Sequence, residues 1–303
     1  MKKEHEKEFL SIFQQLCYGR NTWQVWEDVI TMIATSIANA TEYNEQNRKE
    51  REQKYCDCVK RINKNRDIQL VVKLMSIIVM ALEENPEQDF LGAIYMKLEL
   101  FNHWKGQFFT PYHICKVMVD VNTGNIQKEL EEKDFLSICD PTCGAGALLI
   151  AYANAVRNKE INYQQKILFV GQDIDVIVGM MCYIQLSLLG CAGYIVIADT
   201  LTNPICGDVL NPIEKEGQQF WYMPMFQTGQ WYIKRLLHNI YYAETKKEVT
   251  EQKVTKEETE QKVTEQKPTE LVEQKIKFDL ENKKQNNKNS VMTGQLDLFS
   301  MLK

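Results

Sequence analysis

Ser137-Ile-Cys-Asp-Pro-Thr-Cys-Gly-Ala-Gly-Ala-Leu-Leu-Ile150 decides how the rest of the chain is read. Leu136 to Cys139 is a short apolar run with the look of a buried strand. Asp140-Pro141 stops it, and Gly144 and Gly146 open a helix through Ala147, Leu148, Leu149 and Tyr152. Strand, glycine turn and helix form a layout in which backbone N–H groups approach a ligand and a helix N-terminus faces it. Glycine suits the turn because a side chain there would hold the ligand off the backbone.

Two further strands follow. Lys166 to Asp173 is apolar and ends in a carboxylate, and a helix starts at Asp175 and runs through Met180, Ile184 and Leu188. Gly190 to Gly193 closes that helix, and Tyr194 to Asp199 is again an apolar run ending in a carboxylate. Strands separated by helices imply an α/β fold with a parallel, Rossmann-like sheet and right-handed crossovers. Ligands in such sheets bind beyond the carboxyl ends of the strands. Asp140, Asp173 and Asp199 all fall there. An acidic residue after the second strand suits ribose hydroxyls. The turn is not G-x-G-x-x-G and lacks the lysine of a phosphate loop, which favours a nucleoside without a pyrophosphate. Taken singly, each of these Asp residues could serve only as a helix cap.

Upstream, residues 1–104 read as a helical region. Phe9, Ile12, Phe13 and Leu16 share a helix face, and Asn21-Thr22 can cap a helix carrying Trp26, Val29, Ile30, Ile33 and Ile37. Glu45 to Arg66 is charged, and Leu70 to Leu82 is apolar nearly all round, the mark of a buried helix. Phe90 to Leu100 reads as another helix. Gly106-Gln-Phe-Phe-Thr-Pro-Tyr-His113 then places Thr110 to cap and Pro111 to start a helix over 112–121, with the aromatics as core or as a pocket lid.

The chain has 303 residues, a formal net charge of −5 and nine cysteines. The near-neutral charge argues against a basic protein that coats nucleic acid. The charged N-terminus and the lack of a long apolar run point to a cytoplasmic protein with free thiols and no membrane partner. Cys56-x-Cys58 has no second pair at zinc spacing, so no metal is expected.

From Gly106 to Pro204 the sequence resembles a known family, the amino-type DNA adenine-N6 methyltransferases of the modification subunits of type I restriction systems. Gly-Gln-Phe-Phe-Thr-Pro (106–111) looks like the motif that closes over the methionine end of S-adenosylmethionine, which implies cofactor contacts from Phe109, Thr110 and Pro111. Asp-Pro-Thr-Cys-Gly-Ala-Gly (140–146) looks like the glycine-turn motif, implying contacts from Asp140, Pro141, Thr142, Gly144 and Gly146. Gly-Gln-Asp-Ile-Asp (171–175) looks like the ribose motif, with Asp173 and Ile174 at the cofactor and Asp173 where the family more often has Glu. Ala-Asp-Thr-Leu (198–201) looks like the segment whose Asp meets the cofactor's adenine, which assigns Asp199 and Thr200. The resemblance implies DNA as substrate and a separate specificity subunit as partner.

The family's catalytic Asn-Pro-Pro-aromatic motif is not matched. Asn203-Pro204-Ile205 and Asn211-Pro212-Ile213 lack the second Pro and the aromatic, so Asn203 and Asn211 are the catalytic candidates only in degenerate form. Both pairs otherwise read as turns. Phe220 to Pro224 supplies aromatics without Asn, the fourth strand is hard to see, and 227–242 reads as a helix.

These readings divide the chain into a helical region (1–104), an S-adenosylmethionine-binding domain (105–243), a disordered charged linker (244–290) and a C-terminal peptide (291–303). The linker is a near-repeat of Val-Thr-Glu-Gln-Lys with few apolar residues. Gln295-Leu296-Asp297-Leu298-Phe299 looks like the pentapeptide by which bacterial proteins bind the replication sliding clamp. Three functions follow as expectations: a DNA adenine-N6 methyltransferase; a catalytically inactive relative tethered to the clamp, regulatory or anti-restriction, in a phage or mobile element; and a small-molecule methyltransferase.

Overall fold

The computed structural model describes residues 2–62, 65–100 and 109–240. The chain divides into two units, Met1–Asn239 and Ile240–Lys303. The linker and clamp-peptide readings, and residues 106–108 of the lid motif, lie outside the described residues.

Five helices come first: α1 (Lys2–Leu16), α2 (Thr22–Asn39), α3 (Glu45–Ile62), α4 (Asn65–Glu84) and α5 (Phe90–Lys97). Asn21 caps α2 as its sequence suggests, its Oδ1 accepting from the Gln24 N–H at 3.1 Å. Trp26 is fully buried against the rings of Phe9, Phe13 and Tyr95. The reading of α4 as buried all round is corrected: Val72 and Met80 are exposed, so α4 keeps one open face.

The next elements are α6 (Tyr112–Asn122), α7 (Ile126–Glu132), β1 (Leu136–Asp140), α8 (Ala147–Arg157), α9 (Tyr163–Lys166), β2 (Ile167–Asp173), α10 (Val176–Leu188) and β3 (Ala192–Ile197). Then come β4 (Cys206–Asp208), β5 (Asn211–Ile213), β6 (Gln219–Tyr222) and α11 (Pro224–Gln227), and residues 229–240 are helical. The main sheet runs β1-β2-β3-β6. β1, β2 and β3 are parallel, with Asp140 opposite Gly171 and Asp173 opposite Ile197.

The expectation of a wholly parallel sheet is corrected at β6, which pairs antiparallel to β3 with Tyr194 opposite Tyr222. No crossover helix separates them, so the chain returns alongside β3. Asn211-Pro212, read as a turn, is instead β5 of a small hairpin with β4. Thr110 does not cap α6: Pro111 is its N-cap residue and no side chain bonds there.

Inner residues of the strands alternate between two layers. Ile167, Phe169, Ile195 and Ile197 face α8, α10 and the N-terminal helices in a single core shared by the helical region and the sheet. Leu168, Val170, Tyr194 and Val196 pack under Phe220, Phe226 and Trp231. Gly193 allows the closest approach within the sheet. Its φ is 142°, and a Cβ there would stand 1.8 Å from the Phe169 carbonyl oxygen. Among the described residues no helix is long and apolar enough to cross a membrane.

Candidate functional site

The glycine turn is built as its sequence suggests. Gly146 has φ 96° and is the N-cap residue of α8. A Cβ at Gly146 would meet Cys182 Sγ at 2.8 Å, so glycine serves both the left-handed backbone and the close approach of α10. The Cys143 N–H donates to the Gln172 carbonyl at 2.9 Å, which stitches the turn to β2.

Beyond the carboxyl end of β1 lies a cavity of about 230 Å³. Phe109 and Thr110 form one wall, and Asp140, Thr142, Cys143, Gly144 and Ala145 form the turn side. Cys115 and Met118 of α6, Ala147 and Leu148 of α8, and Asp89 complete it. Phe109 stacks on Tyr95 with ring centroids 5.3 Å apart, and its ring edge lies 3.5 Å from where a Gly144 Cβ would sit. The lid motif and the glycine turn therefore share one cavity.

Asp173 reaches the turn from the end of β2. Its Oδ2 accepts from the Gly144 N–H and its Oδ1 from the Asp175 N–H, each at 2.9 Å. Burial pushes the Asp173 carboxyl above the usual carboxylate range, against the pull of those donors. Burial also raises Asp140, whose Oδ1 accepts from the Thr142 N–H at 3.1 Å, and the Asp173 charge adds to the rise. Asp199 differs. Its Oδ1 accepts from the Leu201 N–H at 2.8 Å and the Thr202 N–H at 3.4 Å, which hold its carboxyl below the usual range. Asp199 thus folds its own turn. Thr200 ties that turn to the glycine turn by donating to the Pro141 carbonyl. Pro141, Thr142 and Ile174 are exposed, and Pro111 lies at the start of α6. Of the residues expected at the cofactor, Phe109, Thr110, Asp140, Thr142 and Gly144 line the cavity, whereas Pro111, Pro141, Gly146, Asp173, Ile174, Asp199 and Thr200 do not.

Asn203 and Asn211 do not line the cavity. The Asn203 amide donates to the Glu216 carbonyl at 3.0 Å. Asn211 lies in the hairpin with its amide 3.2 Å from His238 Nδ1.

Two residues went unnoticed in the sequence. Asp89 caps α5, its Oδ1 accepting from the Gly92 N–H at 2.9 Å, and burial raises its carboxyl. Gln185 of α10 is fully buried. Its amide donates to Asp89 Oδ1 at 2.8 Å and to the Ala145 carbonyl at 2.9 Å, and its oxygen accepts from the Leu91 N–H at 3.0 Å. One amide thus locks the helical region to the glycine turn. The signal was an Asp just ahead of an apolar helix and one Gln in an otherwise apolar one.

Comparison with curated proteins finds no match. Among solved structures, the chain is similar to the crystal structure of the type I restriction-modification system methyltransferase subunit from Streptococcus thermophilus. The identity is 14%, the similarity covers 67% of this chain and 60% of that one, and the TM-score is 0.36. The similarity thus spans about 60% of that subunit's length. The profile of the N-6 DNA Methylase family matches residues 87–216, a stretch that begins just before Asp89 and takes in the cavity and both Asn-Pro pairs. Over residues 87–216, the chain is similar to the N-6 DNA Methylase family.

Proposed function

We propose that the cavity beyond β1 binds S-adenosylmethionine and that the chain works on DNA as a relative of the adenine-N6 methyltransferases. The observation that carries this reading is the pair of buried carboxylates, Asp89 and Asp140, in a cavity roofed by an aromatic ring. Neither makes an ion pair with Lys or Arg among the described residues. Buried anions without a counter-charge favour a cationic ligand. S-adenosylmethionine carries a sulfonium and an α-ammonium, whereas phosphate nucleotides bring the wrong sign. When bound, it supplies an activated methyl group. Asp140 and Asp89 would face its cationic end, Phe109 would cover it, and Asp173 and Ile174 would meet the nucleoside.

Hydrogen exchange tests this reading. Adding S-adenosylmethionine should slow exchange at the amides of 141–146 and 173–175. Unchanged exchange there, at saturating ligand, would overturn the assignment.

Transfer to adenine needs an acceptor for the exocyclic amine beside the flipped base. The side chains of Asn203 and Asn211 are engaged elsewhere, with Glu216 and His238. That observation favours a second reading, a cofactor-binding relative that does not itself transfer the methyl group, held at the replication sliding clamp by Gln295, Leu296, Asp297, Leu298 and Phe299 and serving a regulatory or anti-restriction role. A separate specificity subunit would supply DNA reading in the first. Deleting residues 295–299 should abolish retention on immobilised clamp, and retention equal to the full chain would refute the tether.

A further inference from the structure

Two features on one side of the sheet lack a partner among the described residues. The first is β1, which pairs with β2 along one edge only. Alternate N–H and C=O groups of Leu136–Asp140 therefore point away from the sheet, and the side chains of Ser137 and Cys139 are exposed. A parallel strand is normally flanked, and an open edge pairs readily with another strand. The opposite edge is guarded. There Arg51 of α3 donates to the Phe220 carbonyl at 3.0 Å and lies over the Trp221 ring at 4.9 Å.

The second feature is α6. Its inner residues Cys115 and Val119 pack on Ala147, Ala151 and Ala155 of α8. α8 in turn packs on α10. The succession α6, α8, α10 runs the same way as β1, β2, β3, so α6 lies on the open side of β1. Its outer face carries Ile114, Val117, Met118 and Val121, exposed by 43, 62, 48 and 79%. These are positions i, i+3, i+4 and i+7, one continuous helical stripe.

We propose that this side of the protein is an isologous interface between two copies of the chain. The features are self-complementary under one two-fold axis normal to the sheet. Antiparallel pairing of the two β1 edges would join the sheets, and the same rotation keeps both α6 helices on one face beside the seam. The stripe is symmetric about its own midpoint: run antiparallel, Ile114 meets Val121 of the second copy, and Val117 meets Met118. The four side chains leave roughly 400 Å² of apolar surface per chain, the size of the functional patches that monomers expose. Two stripes would bury about 800 Å², and the β1 edges carry the total toward the ~1,200–2,000 Å² of a specific interface. Met118 also lines the cavity, so the second copy would close in beside the cavity's mouth.

Light scattering on the full chain, with sedimentation as a check, tests the proposal. The wild type should have twice the chain mass. The double variant Val117→Glu/Val121→Glu should be monomeric with an unchanged circular dichroism spectrum, and Tyr18→Glu, on another exposed residue, should stay dimeric. Independently of any variant, alternate β1 amides of the wild type should exchange more slowly as protein concentration rises. A monomeric wild type would overturn the proposal, as would a dimer that survives the double variant, or β1 exchange that does not change with concentration.

Discussion

Asp140 and Asp173 lie at the glycine turn, Asp89 is joined to it through Gln185, and burial raises all three carboxyls. Asp140 shows the effect most cleanly, because Asn in its place keeps an acceptor for the Thr142 N–H and removes only the charge. Burial raises the folded-state pKa of Asp140, so the folded chain holds that proton to higher pH than the unfolded chain does. Stability therefore falls as pH climbs from the unfolded carboxyl value, about 3.9, through the folded one, and the penalty is complete above it. Asp140→Asn should melt at a higher temperature than wild type at neutral pH, and the gap should close as pH drops toward the unfolded value. A gap that is the same at both ends would count against the raised carboxyl. At this scale the sequence revealed Asp140 and Asp173, since each ends a strand ahead of a turn or helix. It did not reveal Asp89 or Gln185. They stand 96 residues apart, and only the packing of α10 beside α5 brings them into one hydrogen bond.

At the scale of elements, β2 and β3 lie against each other because position 193 has no side chain. Gly193→Ala would drive a Cβ into the Phe169 carbonyl, with backbone on both sides and nothing flexible to yield. It should cost several kcal/mol, well beyond the ~1 kcal/mol of an average substitution, read as a lower urea midpoint. A midpoint within error of wild type would mean that the strands are spaced differently. β2 and β3 could be read from the sequence because each is a buried apolar run bounded by glycine or Asp; β1, read as buried, is instead half-exposed, with Ser137 and Cys139 open. β6 could not. Gln219 to Tyr222 is a run of bulky side chains with no crossover helix before it, and its antiparallel course depends on Phe220 and Tyr222 packing with Tyr194 across the sheet. Asn211-Pro212 departs from its turn signal for a related reason. An Asn-Pro pair is a common turn signal, but here Pro212 sits opposite Gly207 in a two-stranded hairpin.

At the scale of the whole molecule, the helical region and the sheet share one core, and Gln185 couples them at the turn. Asp89, the cap of α5, lines the cavity, and Tyr95 of α5 stacks on Phe109 in its wall. The Asn candidates lie away from that cavity, so a bound cofactor is better supported than a completed reaction. The most direct test is a calorimetric titration of S-adenosylmethionine into the wild type and into Asp173→Ala, side by side. One site per chain is expected in the wild type, and at least about tenfold weaker binding in the variant, the size expected from losing charged hydrogen bonds worth ~1.5–3 kcal/mol. No binding heat in the wild type, or equal affinity in the two proteins, would contradict that expectation.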